Sequence, residues 1–172
     1  MKNFATTAIV KHPLETVWLT MRDEISELVQ QLGDIRDVKT TSRVATTDAV
    51  TLVNLWEAEP QVPPAVAAVL SSNLFRWTDY ARWVTASHEC QWTIEPAFAV
   101  GRVSCSGTTS YEPAIGGRGT RITFRGTLDI RVGGAIGAPL VGIVEGFITG
   151  LIPKNFQNLA AAAGSTLDRR SG

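Results

Sequence analysis

Neither sign of charge dominates this chain. It carries 16 Lys and Arg against 16 Asp and Glu, a formal net charge of zero. Without a basic excess there is nothing to hold a phosphate backbone, so nucleic acid is excluded as the expected partner. Cysteine is confined to Cys90 and Cys105 and histidine to two residues, and no metal-ligand spacing emerges from so few. No metal and no cofactor is therefore expected. The sequence also lacks G-x-S-x-G, a P-loop and a strand-following Gly-x-Gly-x-x-Gly, and the cluster Gly116 to Gly119 reads as a hairpin turn. The amino end, MKNFATTAIVKHP, has neither a continuous apolar run nor a small-residue cleavage site and is not read as a signal peptide. With so little cysteine the expected setting is the reducing cytoplasm, with both thiols free. Val132 to Ile152 approaches bilayer length, but Pro139, Glu145 and several glycines interrupt it. No membrane span is expected, and only peripheral contact is left open.

What is present fits one domain with a sizeable core: 172 residues, 44% hydrophobic and 19% charged. A single domain is expected over residues 1–167, followed by a disordered tail at 168–172. The chain is organised around Pro139 to Leu167, which as a helix would run about 43 Å. Leu140, Ile143, Val144, Phe147, Ile148 and Leu151 mark one face of it. Pro153 calls for a kink or a fresh start, after which Phe156, Leu159, Ala163 and Leu167 form an offset stripe. Gly142, Gly146 and Gly150 line up opposite the bulky residues. That stripe serves either close approach by a partner or a poorly packed solvent face. Glu145 stands at the edge of the apolar face.

Before this helix the pattern is mostly strand. Phe4 to Lys11 reads as a first strand, and Pro13 then opens a helix whose apolar stripe runs from Leu14 to Leu32, with Gly33 as the stop and a bend near Asp23. Ile35 to Val44 and Val50 to Ala58 form a hairpin in which Val50, Leu52, Asn54 and Trp56 share one face. Asn54 is thus a polar station inside the sheet. Ala65 to Leu70 reads as a short helix, and the aromatic-rich stretch Phe75 to Thr85 suits either strand or loop. His88, Cys90, Trp92 and Ile94 alternate with polar residues. Gly101, Val103, Cys105, Gly107 and Thr109 do the same, followed by Ile122, Phe124, Gly126, Leu128 and Ile130.

If both intervening turns are tight, Cys90 falls opposite Cys105, His88 opposite Gly107, and Gly107 opposite Gly126. Inward glycines mark close approach by another group. The expected row His88–Gly107–Gly126 would open a hollow with an imidazole at its rim.

The order of elements, the segment P-L-E-T-V-W at Pro13 to Trp18, the pair Arg22–Asp23, and G-T-R-I-T-F-R-G-T-L at Gly119 to Leu128 together resemble the START-like (SRPBCC) superfamily. That group includes Bet v 1-like proteins, polyketide cyclases and lipid-transfer domains. The resemblance implies an α+β helix-grip fold: a curved antiparallel β-sheet wrapped around a long C-terminal α-helix, with an apolar cavity between them. It implies binding or transport of a hydrophobic small molecule, such as a lipid, sterol or polyketide-like compound. Candidate ligand contacts are Asn54, Trp56, His88, Trp92, Val103, Gly107, Phe124, Gly126, Phe147, Ile148 and Leu151. The alternatives are a cyclase or dehydratase whose general base would be His88 or Glu145, and an interaction module using the glycine stripe of the last helix. Oligomeric state is left open.

Overall fold

The structure is a computed structural model, and it describes residues 1–59, 61, 64, 75–97, 100–131, 133 and 137–172. The short helix expected at Ala65 to Leu70 and the side chain of Leu140 lie outside these residues, as does part of the turn after Pro96.

Seven strands form one antiparallel sheet in the order β1-β7-β6-β5-β4-β3-β2. They are β1 (Lys2–Val10), β2 (Ile35–Ala45), β3 (Ala49–Ala58), β4 (Arg76–Val84), β5 (Glu89–Pro96), β6 (Val103–Ala114) and β7 (Gly119–Ile130). From β2 onward each strand pairs with its successor, while β1 joins the far edge beside β7. Helices α1 (Leu14–Asp23) and α2 (Ile25–Leu28), ending in a 3-10 turn at Val29–Gln31, make the crossing from one edge to the other. The break at Glu24 splits the helical stripe at the place where Asp23 marks a bend. Buried Val17, Trp18, Met21, Leu28 and Val29 nevertheless keep the stripe on one side. The aromatic-rich stretch resolves as strand β4.

The last helix, α3 (Ala138–Ser171), packs across β1, β7 and α1. Pro153 lies inside it without a fresh start. An interior proline costs about 3 kcal/mol. Burial of Val144 on one side of it and of Phe156, Leu159, Ala163 and Leu167 on the other offsets that cost by holding both halves against the sheet. Residues 168–171, expected to be disordered, continue the helix. Arg170 forms a forked ion pair with Glu24 at 2.6 and 2.9 Å, and Asp168 meets His12 at 2.6 Å. Among the described residues no helix is long and apolar enough to cross a membrane.

The strand registers decide what faces what. Gly107 stands opposite Gly126, as a tight β6–β7 turn requires. The β5–β6 connection is longer than a tight turn, spanning residues 97–102. Cys90 therefore pairs with Thr109, and Ile94, not Cys90, faces Cys105. The shift is even, so every inward side chain stays inward. The row through the glycines becomes Phe4–Gly126–Gly107–Trp92. His88 is not part of it. That residue precedes β5 in a left-handed turn conformation, φ 48°.

Candidate functional site

Trp18 is fully buried and packs edge-on against Trp83 and Tyr111 at centroid distances of 4.9 and 5.1 Å. Trp83 and Tyr111 of this aromatic knot face the space between sheet and α3. Further along, the two do not meet, and a cavity of about 190 Å³ remains. Strands β3 to β7 form one wall, and Phe147, Ile148, Leu151, Ile152, Asn155, Phe156 and Leu159 of α3 form the other. Met21 and Arg22 of α1, with Ile25 of α2, contribute at its side.

Stacked rings frame much of this space. Trp56 and Trp77 are a cross-strand pair with centroids 5.6 Å apart and an interplanar angle of 11°. Trp92, Phe124 and Phe156 stack in sequence at 4.8 and 4.7 Å. Rings 4.5–7 Å apart in such offsets attract one another beyond the area they bury, so these walls are stiff.

Polar groups are few and cluster on β3 and β4. Asn54 is buried, accepting from Thr40 Oγ1 at 2.8 Å and donating through Nδ2 to Asp79 Oδ2 at 3.1 Å. Asp79 opens onto the cavity, yet burial of its carboxyl pushes its pKa up to about 6, against the opposing pull of the Asn54 hydrogen bond. The Trp56 indole N–H approaches this carboxyl and also lowers its pKa, without reaching hydrogen-bonding geometry. No described residue forms an ion pair with Asp79. The nearest cation on the lining, Arg22, is committed to Asp23 by two 2.8 Å hydrogen bonds, and Arg43 shares that carboxylate at 2.8 Å. Its hydrogen bond to Arg22 holds the Asp23 carboxyl below its ordinary pKa.

Among the described residues, three polar atoms of the cavity lining are buried without a partner: Trp56 Nε1, Trp83 Nε1 and Asn155 Oδ1. Orphaned polar atoms at a cavity wall cost stability and are paired when a ligand or water enters. Burial disfavours the thiolate form of both cysteines. Burial raises Cys90 well above its ordinary pKa, with the nearby Asp79 charge adding to the effect, and burial pushes Cys105 up to about 12.

Of the residues singled out from the sequence, Asn54, Trp56, Trp92, Phe124, Phe147, Ile148 and Leu151 converge on this cavity. Val103 is buried in the core without lining it. The hollow expected at Gly107 and Gly126 is filled. The rings of Phe4 and Trp92, centroids 6.3 Å apart, lie over the two glycines from either side. His88 stands outside the cavity, with Nε2 3.0 Å from Glu15 Oε2 and its ring edge-on to Trp18. Glu145 is likewise outside, 3.6 Å from Lys2 Nζ. Neither is placed to act as a base on a molecule in the cavity. Gly142, Gly146 and Gly150 are exposed, and a Cβ at any of them would meet nothing within 4 Å. Among the described residues no group of three or more His, Cys, Asp or Glu could hold a metal ion.

Asp79, Trp77, Tyr111 and Asn155 escape the sequence reading. The signal for Asp79 is faint but present. In R-W-T-D-Y-A-R-W-V the residues Trp77, Asp79, Ala81 and Trp83 alternate, which puts the aspartate on the inward face of β4 beside the inward Asn54.

A curved antiparallel sheet gripping a long C-terminal helix over an apolar cavity defines the START-like, Bet v 1-like fold. TTHA0849 from Thermus thermophilus superposes with a TM-score of 0.71 at 14% identity, over 99% of this chain and 100% of that one. The Zhui aromatase/cyclase from Streptomyces sp. R1128 does so with 0.69 at 13% identity, over 99% and 96%. Norcoclaurine synthase from Thalictrum flavum, in complex with dopamine and hydroxybenzaldehyde, gives 0.64 at 12% identity, over 98% and 87%. At such identities the likeness is one of fold. The chain belongs to the family described as protein of unknown function (DUF2505), whose model matches residues 5–162. No curated protein matches the sequence.

Proposed function

We propose that this protein binds a small, ring-bearing, largely apolar molecule in the cavity between the sheet and α3. The observation that carries the reading is the cavity itself, about 190 Å³ of space walled by stacked aromatic and aliphatic side chains with a few polar groups among them. Ligand sites are built this way: apolar surface supplies affinity and a few fixed polar groups set orientation. Size narrows the ligand class. A void of about 150 Å³ accepts benzene, and drug-sized pockets run from about 300 Å³ upward. One or two rings therefore fit better than a sterol or a long acyl chain. The cyclase-type alternative would have to run through Asp79, because neither His88 nor Glu145 lines the cavity.

Native mass spectrometry of freshly purified protein tests this reading, followed by calorimetric titration of stripped protein with naphthalen-2-ylmethanol and similar one- and two-ring compounds. Saturable one-to-one binding is expected. An unliganded mass together with no heat of binding across the panel would overturn it.

A further inference from the structure

Asp79 is a carboxyl group at the wall of an apolar cavity, and no described residue forms an ion pair with it. Among the described residues it receives one hydrogen bond, from Asn54 Nδ2 at 3.1 Å. Asn54 is itself oriented by Thr40, whose hydroxyl occupies the amide oxygen at 2.8 Å and thereby turns the NH2 group toward the aspartate. The carboxylate is thus aimed but not neutralised. A buried charge without a counter-charge is costly, and a purely structural polar station at this place would be satisfied by another amide or hydroxyl. The adjacent cross-strand pair is the Trp56–Trp77 stack, whose rings border the same space. A carboxylate beside stacked aromatic rings can recognise an organic cation: the ion pair neutralises the acid, and a ring attracts positive charge lying over its face.

Resting on the reading above, we propose that the molecule this cavity takes carries a protonated amine, held by the Asp79 carboxylate with Asn54 as the positioning residue.

The remaining ionisable groups facing this space do not compete for the role. Arg22 on α1 is bound to Asp23, while Cys90 on β5 and Tyr111 on β6 are kept neutral by burial. The α3 residues that line the cavity carry no ionisable side chain. An amine also explains why the acid is tolerated, since the bound cation removes the cost of its burial.

The test is a matched pair of probes that differ only in charge, naphthalen-2-ylmethylamine and naphthalen-2-ylmethanol, titrated calorimetrically into wild type and Asp79→Asn. Wild type at pH 7.5 is expected to bind the amine at least tenfold more tightly than the alcohol, and the variant to lose that preference while retaining the alcohol. A second measurement needs no variant. Between pH 7.5 and 5 the affinity of wild type for the amine should fall about tenfold as the carboxyl takes up its proton, with the affinity for the alcohol unchanged. Binding of the alcohol with no preference for the amine, or an amine preference that survives both Asp79→Asn and pH 5, overturns the inference and leaves the proposed function standing. Failure of both probes to bind wild type overturns the two together.

Discussion

Trp92 lies against Gly126 so closely that a Cβ built on the glycine would stand 2.6 Å from the indole Cη2, and equally close to Phe4 Cζ from the other side. Gly107, one strand over, is as crowded: a Cβ there would meet the Arg125 carbonyl oxygen and stand 2.5 Å from Trp92 Cζ2. The two glycines thus make room for Trp92, which lines the cavity, and for Phe4, which packs against it. Replacing Gly126 with Ala must push Trp92 or Phe4 aside, and overpacking of this kind costs about 1–3 kcal/mol. Chemical denaturation should show a midpoint shift of that size, and an unchanged midpoint would mean that the rings relax freely.

Asp79 sets a pH dependence with a definite sign. Its pKa is raised to about 6 in the native state against 3.8 for the ordinary group, so the folded protein holds the proton more tightly than the unfolded chain. Ionisation above about pH 6 therefore costs native stability. Protonation between 6 and 3.8 restores it, and below 3.8 both states are protonated and nothing further is gained. In the absence of ligand, Asp79→Asn should stabilise the protein by about 1–3 kcal/mol at pH 8, and the advantage should vanish near pH 4. A variant less stable than wild type at pH 8 would show that the carboxylate is well compensated in the native state.

Ala81 faces the cavity from β4, buried and paired with Trp92 across the strand boundary. Leucine at this position grows into existing space, so stability should move by no more than about 1.5 kcal/mol. Binding of naphthalen-2-ylmethanol should drop at least tenfold. Retained binding with an unchanged melting temperature would place the ligand elsewhere.

His88 and Glu145 provide a control. His88 meets Glu15 at the surface and Glu145 meets Lys2, pairs worth about 0–1 kcal/mol each. Glu145→Gln should cost no more than that, His88→Ala about 1–2 kcal/mol because it also removes the edge-on contact with Trp18, and both should leave apolar-ring binding where it was. A large loss of binding in either variant would connect the outer face to the cavity by a route that these contacts do not show.

The β5–β6 connection separates what could be read from what could not. Alternation in E-C-Q-W-T-I-E and V-S-C-S-G-T-T puts Cys90, Trp92, Val103, Cys105 and Thr109 on the buried face, as the structure does, because a strand's period of two is local; His88 falls in the turn before β5. The length of the connection between them is not written in that alternation. An even slip changes every cross-strand partner while leaving each face intact, so His88 was placed in a row that Trp92 occupies. The tail shows the same limit. Arg169 and Arg170 near the carboxyl end look like solvated polar residues until Glu24, far away in sequence, turns out to face Arg170.

By itself the sequence determined most of the strands, their order, the buried faces of the clearest ones, and the long apolar helix that the sheet must cover, while leaving β4 open between strand and loop. All of these follow from short-range periodicity and turn chemistry. Only the tertiary structure decided that Phe4 and Trp92 fill the space over Gly107 and Gly126. It also decided that the opening moves to the Trp56–Trp77 side, and that an aspartate in an ambiguous aromatic stretch meets Asn54 there. Registers and loop lengths fix those meetings, and the desolvation that marks Asp79 exists only once strands from distant parts of the chain close around it.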